Sequence, residues 1–280
     1  MASYVGHLGN APNASSELSA ASILRVEAHN LFRAQHASEL LQILDRIAAI
    51  IDMPKMAWTP DVANPHYVPE MEAFIDRQGW PPELVDLWRD KGAATKVRFY
   101  ARCRYTNLPF VTALERPSNL HRRKRHSQTF EERTAERILK NMGYKSLITA
   151  PAHLPHGRVS MLTWAGPRTP SSAKRLVEIA GVELIAITHL VGQRLGPVSG
   201  TPHPEPQIDA RLTSRERDCL RLVAQGFSER EAGDALGISN TTVRYHVDNA
   251  ALKLNAKNRT HAAVISAQLG LLGSLVDADL

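Results

Sequence analysis

The stretch that decides the fold lies near the end of the chain, where residues 212–237 read LTSRERDCLRLVAQGFSEREAGDALG and residues 238–254 read ISNTTVRYHVDNAALKL. Thr213 and Glu216 have the spacing of a capping box, in which each side chain bonds the backbone amide of the other residue. Gly226 follows at a distance that suits a helix C-cap, because glycine adopts positive φ without strain. The first segment therefore predicts a helix with a defined start and end.

The capping-box spacing recurs at Ser228 and Glu231, and the short helix that they begin is closed by Gly237. Ser239 is then placed to cap a third helix. A short helix, a glycine turn and a second capped helix are typical of a helix-turn-helix.

The third helix has two faces of different character. Its apolar positions step by four, three and four residues and are Val243, Val247, Ala250 and Leu254. The opposite face carries Thr241, Arg244, Tyr245 and Asp248. Such a face is consistent with simple exposure to solvent. The helix-turn-helix context favours DNA reading, because an α-helix fits the major groove and Arg and Tyr reach base edges and phosphates.

Residues 212–231 and 238–260 together resemble the DNA-binding domain of LuxR-type transcription factors over about 60 residues. The matching positions are Glu216, Gly226, Ser239, Thr242, Val243, His246, Lys253, Leu254 and Arg259. The pair Asn249-Ala250 and the closing QLGL at 268–271 resemble the quorum-sensing branch of that family.

The resemblance implies roles for eight side chains in DNA binding. Those implied to face bases are Arg244, Tyr245 and Asp248, beside Thr241 on the same face. Those implied to lie near the DNA backbone are Thr242, Lys253, Lys257 and Arg259. Asp248 is unusual for the family; an acid there either accepts a hydrogen bond from cytosine N4 or only pairs with Arg244 one turn away.

Two further features of this module follow from the resemblance. A fourth helix is expected over about residues 260–269, with Ala262, Ile265 and Leu269 as its apolar stripe, and in the family this helix contributes to dimerisation. Ala232-Gly233 stands where the family usually has Ile-Ala, so looser packing of the second helix is expected.

A linker separates this module from the rest of the chain. Residues 196–211 read GPVSGTPHPEPQIDAR, with four prolines and no hydrophobic periodicity, which indicates a semi-rigid spacer. We therefore predict a sensor-like domain at 1–195, the linker at 196–211 and the DNA-binding domain at 212–280.

The larger domain is expected to mix helices and strands. Helices are predicted over residues 15–52, 129–142 and 172–194 from apolar spacings of three and four. Strands are predicted over 98–113, 146–152 and 158–164, the last two joined at the turn Pro155-His156-Gly157 as an antiparallel hairpin. The predicted class is α+β, with an α/β/α sandwich around an antiparallel sheet, followed by the Pro-rich linker and an all-α domain of four helices.

Parts of the larger domain resemble the autoinducer-binding domain of LuxR-type regulators. The matching runs are FEER at 130–133, MGYKSLITAP at 142–151 and GRVSMLTW at 157–164. The resemblance implies a small ligand held between the sheet and one helical layer. A phosphorylated receiver domain is disfavoured, because Asp45 and Asp52 lie in a helical pattern rather than at a strand end.

Two departures from the family's signal-binding motif disfavour an ordinary acyl-homoserine lactone as the ligand. Thr95-Lys96 stands where the family has Asp-Pro, whose carboxylate takes the amide proton of that signal, and Leu147 replaces a glycine. Candidate ligand contacts for a different, atypical small molecule are Trp80, Tyr100, Tyr105, Thr149, Ser160, Thr163 and Trp164. The alternative is a ligand-independent regulator whose degenerate pocket is filled by its own side chains.

Composition narrows the remaining classes of function. The chain has 280 residues, 43% hydrophobic and 22% charged, with only Cys103 and Cys219 as cysteines. It shows no export signal and no long uncharged apolar run, so a cytoplasmic protein without a membrane partner is expected. No catalytic or nucleotide-binding motif is present, so we expect no enzyme, cofactor or metal. The expected partners are an operator in double-stranded DNA and a second copy of the chain, with RNA polymerase as a further candidate.

Positive charge is concentrated in the middle of the chain. The net charge is +6, yet residues 96–145 alone hold 13 Lys or Arg against 4 Glu. The densest run is Arg122-Arg123-Lys124-Arg125. It is consistent with a solvated loop, with contact to DNA flanking the operator, or with attraction of an anionic ligand or protein.

Overall fold

A computed structural model describes residues 14–63, 69–90, 98–114, 129–195, 212–273 and 275. The chain falls into two compact units, the first including Arg158–Ser199 and the second Gly200–Leu280. The predicted linker at 196–211 lies outside the described residues.

The first unit combines helices with one antiparallel sheet. Its helices are α1 Ala14–Arg33, α2 Ala37–Ile50, α3 Pro69–Gln78, α4 Pro82–Arg89, α5 Arg98–Tyr105, α6 Phe130–Asn141 and α7 Pro170–Arg194. Its strands are β1 Lys55–Thr59, β2 Phe110–Ala113, β3 Ser146–His153 and β4 Val159–Gly166. The strand order is β1-β4-β3-β2, and each neighbouring pair is antiparallel.

The predicted hairpin between β3 and β4 is confirmed. The two strands pair along their whole length, with Thr149 opposite Thr163. The turn is a short 3-10 segment in which His156 and Gly157 both take positive φ, of 64° and 72°. Glycine adopts that conformation without strain, which is why the turn forms at this point of the sequence.

The sheet has helices on both faces, so the predicted layered architecture is confirmed. Side chains alternate along β4, because successive residues of a strand point to opposite faces. Ser160 faces α7, since a Cβ added at Gly192 of that helix would lie 3.2 Å from Ser160 Cβ. On the other face, Thr163 lines a cavity together with residues of α4, α5 and α6. Helix α1 packs along α7, on the same side of the sheet, and α2 packs against α1.

The strand expected over 98–113 is wrong in its first half. Residues Arg98–Tyr105 form α5, and only Phe110–Ala113 is a strand. Tyr100 and Cys103, three positions apart, are buried against the sheet, while Arg102 and Arg104 on either side of Cys103 are exposed. That spacing is helical, and Arg and Ala favour helix over strand, so aromatic content alone misled the prediction.

Strand β1 was missed by the sequence analysis. It has five residues and pairs with β4, and both Met56 and Trp58 are fully buried. A segment this short gives too few alternations for a two-residue period to stand out.

Two ion pairs with buried carboxylates connect α1 to α2 and α7. Arg46 of α2 donates two hydrogen bonds to Glu27, at 2.9 and 2.8 Å, and Arg25 of α1 lies 2.9 Å from Glu183 of α7. The pKa of Glu27 is held below its ordinary value because Arg46 bonds the charged form, which outweighs the opposing effect of burial. Both carboxylates are thus satisfied where unpaired charges would be costly.

Helix α7 is the one helix among the described residues that is long and apolar enough to cross a membrane by length and composition. It packs on β2, β3 and β4 and along α1. Leu176, Leu184, Ile187 and Val191 are fully buried in that packing. This is the environment of a core helix within a folded domain.

The described residues of the second unit form four helices, α8 Ser214–Ala224, α9 Glu229–Leu236, α10 Asn240–Lys253 and α11 Arg259–Gln268. Both predicted capping boxes are confirmed, at Thr213 with Glu216 and at Ser228 with Glu231. Gly237 closes α9 with φ of 65°. The small core contains Cys219, Leu220, Ala232, Val243, Val247, Ala250, Leu254, Ala262 and Leu272.

Gly233 corrects the expectation that Ala232-Gly233 loosens the second helix. A Cβ at this position would lie 2.7 Å from the carbonyl oxygen of Ile238. The amide of Ile238 donates to the Gly233 carbonyl at 3.0 Å, so the chain folds back tightly over this residue. Glycine therefore permits a close approach between α9 and the turn that leads to α10.

The apolar stripe predicted on the fourth helix belongs to the core. Ala262 is fully buried, and Ile265 and Leu269 pack against the same cluster. The outer side of α11 carries Thr260, Val264 and Gln268 instead.

Candidate nucleic-acid interface and ligand cavity

The start of α10 is fixed by a side-chain cap. The Ser239 hydroxyl accepts a hydrogen bond from the Thr242 amide at 3.1 Å, and the two hydroxyls lie 2.8 Å apart. Thr242 thus sits at the helix N-terminus, where the helix dipole and the first amides favour an anion.

The outer face of α10 is fully presented to solvent. Thr241, Arg244, Tyr245 and Asp248 are all exposed, and Tyr245 keeps 63% of its surface accessible. The inward positions predicted for this helix are buried, with Val243 and Ala250 at 0%. One side of α10 therefore anchors the helix, and the other is open to a partner.

Arg244 and Asp248 form the ion pair that their spacing predicts. Arg244 Nε lies 3.8 Å from Asp248 Oδ2, and both side chains are about two-thirds exposed or more, at 71% and 66%. An exposed pair of this kind contributes little to stability, so both groups stay available to a partner.

Lys253 is placed differently from the role that the resemblance implies. Its ammonium lies 2.8 Å from Glu216, a carboxylate that is only 4% exposed and that also accepts from the Thr213 amide at 2.7 Å. Burial alone would raise the pKa of Glu216, but the bonds from Lys253 and Thr213 outweigh it and hold the pKa below its ordinary value. Lys253 thus joins the end of α10 to the start of α8.

The other two cations of the predicted set differ from each other. Arg259 pairs with Glu229 of α9 at 3.1 Å, whereas the side chain of Lys257 is exposed between α10 and α11. The structure therefore brings Thr241, Arg244, Tyr245 and Asp248 together on one face. Lys253 and Arg259 have intramolecular partners.

A cavity lies on the second face of the sheet in the first unit. Its volume is about 50 Å³. The lining residues are Ala57, Thr59, Trp80, Leu84, Trp88, Tyr100, Ala135, Leu139, Leu147, Met161, Thr163 and Ala165. The predicted contacts Trp80, Tyr100 and Thr163 are among them. The cavity lies between the sheet and a layer of helices, which is where the resemblance implies that a ligand binds.

The polar tips around this cavity are already paired. Trp80 Nε1 donates to the Met56 carbonyl at 2.8 Å, Tyr100 bonds Thr59, and the hydroxyls of Thr149 and Thr163 lie 3.1 Å apart. Burial raises the pKa of Tyr100. Among the described residues, the buried side-chain nitrogen and oxygen atoms without a partner lie elsewhere, on Arg158, Trp164 and Ser266.

Four predicted ligand contacts are not among the residues that line the cavity. Thr149 contacts the lining residue Thr163 through its hydroxyl. Tyr105 is 88% exposed on the outside of α5. Ser160 and Trp164 point to the opposite face of the sheet, where Ser160 accepts from Trp58 Nε1 at 3.0 Å and donates to the Thr59 carbonyl at 2.9 Å. Successive side chains of β4 point to opposite faces of the sheet, so Ser160 and Trp164 lie on the other side from Thr163.

The sequence analysis did not name Trp88 of α4 as a cavity residue. Trp88 lies one turn after Leu84 on the same helix face, and its ring meets that of Trp80 edge-on at 5.2 Å between centroids. The spacing of four was the signal available in the sequence. Thr95-Lys96 and the basic run at 122–125 lie outside the described residues.

Comparison with known proteins identifies the second unit. Residues 210–266 match the family described as bacterial regulatory proteins, luxR family. These residues are a LuxR-type helix-turn-helix domain. The family is one of transcription regulators rather than enzymes.

Several curated relatives match part of the chain. The transcriptional activator SolR of Ralstonia nicotianae is 34% identical over 119 residues, which is 42% of this chain and 49% of SolR. The transcriptional activator VanR of Vibrio anguillarum is 32% identical over 128 residues, covering 46% and 52%. The matches thus span about half the length of these relatives.

The fold of the chain is similar to that of Escherichia coli SdiA. The crystal structure of SdiA aligns with a TM-score of 0.51 at 17% sequence identity, covering 90% of this chain and 99% of SdiA. At this identity the likeness establishes the fold.

We predict that Lys253→Met destabilises the LuxR-type domain, while Lys257→Met does not. Both substitutions remove one positive charge, but only the first leaves the Glu216 carboxylate buried without its ammonium partner. The expected loss in free energy of unfolding is about 1–3 kcal/mol, the usual worth of a bond to a charged group. Because the folded-state pKa of Glu216 is lowered, this stabilisation is present above the unfolded pKa of about 4.3 and fades below it.

Urea titrations of the full-length protein, followed through amide NMR signals of α8 and α10 at pH 7 and pH 4, measure this effect. Equal stability of the two lysine variants at pH 7 would contradict the structural role of Lys253.

Proposed function

We propose that this protein is a sequence-specific DNA-binding transcriptional regulator. The observation that carries the proposal is the outer face of α10, which is capped, anchored on a buried opposite face and exposes Arg244, Tyr245 and Asp248 in a LuxR-type domain. Arg and Tyr at such positions reach base edges when the helix enters the major groove. The names of SolR and VanR as transcriptional activators support the same function.

The amino-terminal unit is proposed as the sensor part of this regulator, within the boundaries 1–195, 196–211 and 212–280. SdiA has also been solved in complex with octanoyl-rac-glycerol, so its fold accommodates a small molecule with an acyl tail. A small-molecule signal of a quorum-sensing or solo sensing system is therefore one candidate input. The setting is cytoplasmic, and RNA polymerase is the candidate protein partner.

A second candidate is a regulator that needs no ligand, and the cavity favours it. Pockets for small molecules are usually 300–1,000 Å³ in volume, whereas this cavity measures about 50 Å³. Leu147 occupies space where the family has glycine, and the polar lining groups described above are satisfied by protein atoms. The volume between sheet and helices is thus filled by the side chains of the domain itself.

We predict that Arg244→Ala keeps the fold and loses discrimination between operator and random DNA by about 1–3 kcal/mol, the worth of one bidentate base contact. Arg217→Ala, which removes the same charge from the exposed side of α8, is the matched control. Competition gel shifts with the full-length protein measure the effect. An unchanged operator preference in the Arg244 variant would reject its role as a base reader.

Dimerisation is proposed through the outer side of α11, where Thr260, Val264 and Gln268 follow one another at helical spacing and are exposed. A two-fold dimer reads half-sites about one helical turn apart. Inserting about 5 base pairs between the half-sites should therefore abolish tight binding, and inserting about 10 should restore part of it. Equal affinity for all three spacings in gel shifts would point to a monomeric reader.

We predict that the wild-type cavity takes up no octanoyl glycerol and that Leu147→Ala allows uptake. Truncation of this side chain enlarges the lined volume at a cost of about 2–5 kcal/mol in stability. Leu162→Ala is the matched control, because Leu162 is also buried but faces α7.

Native mass spectrometry and the shift in melting temperature on adding octanoyl glycerol measure uptake. A small molecule that co-purifies with the wild-type protein at equal stoichiometry would overturn the ligand-independent candidate and support the ligand-gated one.

A further inference from the structure

The outer face of α10 carries as much negative as positive charge. From Asn240 to Lys253 the charged side chains are Arg244, Asp248 and Lys253, and Lys253 is engaged by Glu216. The face that meets the partner therefore presents one guanidinium and one carboxylate. This balance is unexpected for a helix that must approach a polyanion, because binding strength to DNA comes largely from neutralising phosphates.

Asp248 has no structural task within the domain that would explain its presence. Its side chain is 66% exposed, and its carboxylate lies at the long distance of 3.8 Å from Arg244 Nε. Such a pair between exposed side chains has a stabilising effect close to nothing. The explanation for the acid must come from what the face contacts.

Few groups in the major groove can donate a hydrogen bond to a carboxylate. Guanine N7 and O6, adenine N7 and thymine O4 are acceptors and repel it, while cytosine N4 and adenine N6 are donors. Adenine places its N7 acceptor beside N6, so it suits an amide side chain that both donates and accepts. Cytosine has no acceptor of its own next to N4, which makes it the base that a carboxylate fits best.

We propose that Asp248 is a specificity-determining residue that accepts a hydrogen bond from cytosine N4, while Arg244 donates to guanine in a neighbouring base pair. The inference rests on the proposed DNA-binding function and deepens it. The two residues are four positions apart, a rise of about 6 Å along the helix axis. Base pairs are spaced about 3.4 Å apart, so the two side chains reach pairs one or two steps from each other.

The position of Asp248 leaves Arg244 free to read its own base. The Asp248 carboxylate lies 3.8 Å from Nε of Arg244. The terminal nitrogens of Arg244 remain available for the O6 and N7 atoms of guanine, the commonest specific contact of arginine. One turn of helix would thus read a guanine and a cytosine together, at the expense of general affinity.

Selection of binding sites from a library with randomised half-sites tests the proposal on the full-length protein. Wild-type protein is expected to enrich cytosine at one position, and Asp248→Ala to lose that preference by about five- to hundredfold. The same variant should bind random DNA more tightly, because one repulsive charge is removed. Asp248→Asn, which keeps the shape, should shift the preference toward adenine.

Asp234→Ala is the matched control, since Asp234 is an exposed acid on α9 of the same domain. It removes the same charge and should leave every base preference unchanged.

Three results would overturn the inference. If Asp248→Ala keeps the cytosine preference, the carboxylate reads no base, although the protein still reads DNA. If it loses only the guanine preference, Asp248 positions Arg244 and makes no base contact. If wild-type protein enriches no sequence at all, the proposed function itself fails, and this outcome is distinct from the other two.

Discussion

The buried carboxylate of Glu216 is the interaction on which the DNA-reading part of the structure depends. It caps α8 through the Thr213 amide and holds the end of α10 through Lys253. A carboxylate that is 4% exposed is tolerable only because both bonds are made. The orientation of α10 against α8, and with it the direction of its outer face, therefore follows from one charged group and the small apolar core around it.

The sheet imposes a comparable constraint on the first unit. Once β3 and β4 pair with Thr149 opposite Thr163, odd-numbered residues of β4 face the cavity and even-numbered residues face α7. Thr163 is thereby brought near Trp80 and Tyr100, while Ser160 and Trp164 are turned away from them. A shift of the register by one residue would exchange the two sets.

The two units differ in how much surface they leave open to a partner. The outer face of α10 is left open to a partner, whereas the space between sheet and helices in the first unit is nearly filled. Trp80, Trp88 and Leu147 occupy it, and their polar neighbours bond to one another. The second proposed function, a regulator that needs no ligand, is based on this combination, within a fold similar to that of SdiA.

The sequence by itself determined the features that depend on neighbours along the chain. Capping boxes at Thr213 and Ser228, the glycine turn at Gly237 and the two faces of α10 could all be read from spacing, because helix starts, turns and periodicity are local properties. The β3–β4 hairpin was predictable for the same reason. The short strand β1 was not, since it is stabilised by pairing with the distant strand β4. The helix at Arg98–Tyr105 had a helical spacing in the sequence, but its aromatic content favoured the wrong prediction of a strand.

Only the tertiary structure decided which residues meet. It placed Lys253 on Glu216 and separated Trp164 from the cavity. It also made Gly233 a point of close approach rather than a weakness. Each of these outcomes depends on the register of strands or on the distance between helices, and a linear sequence carries no direct signal for either.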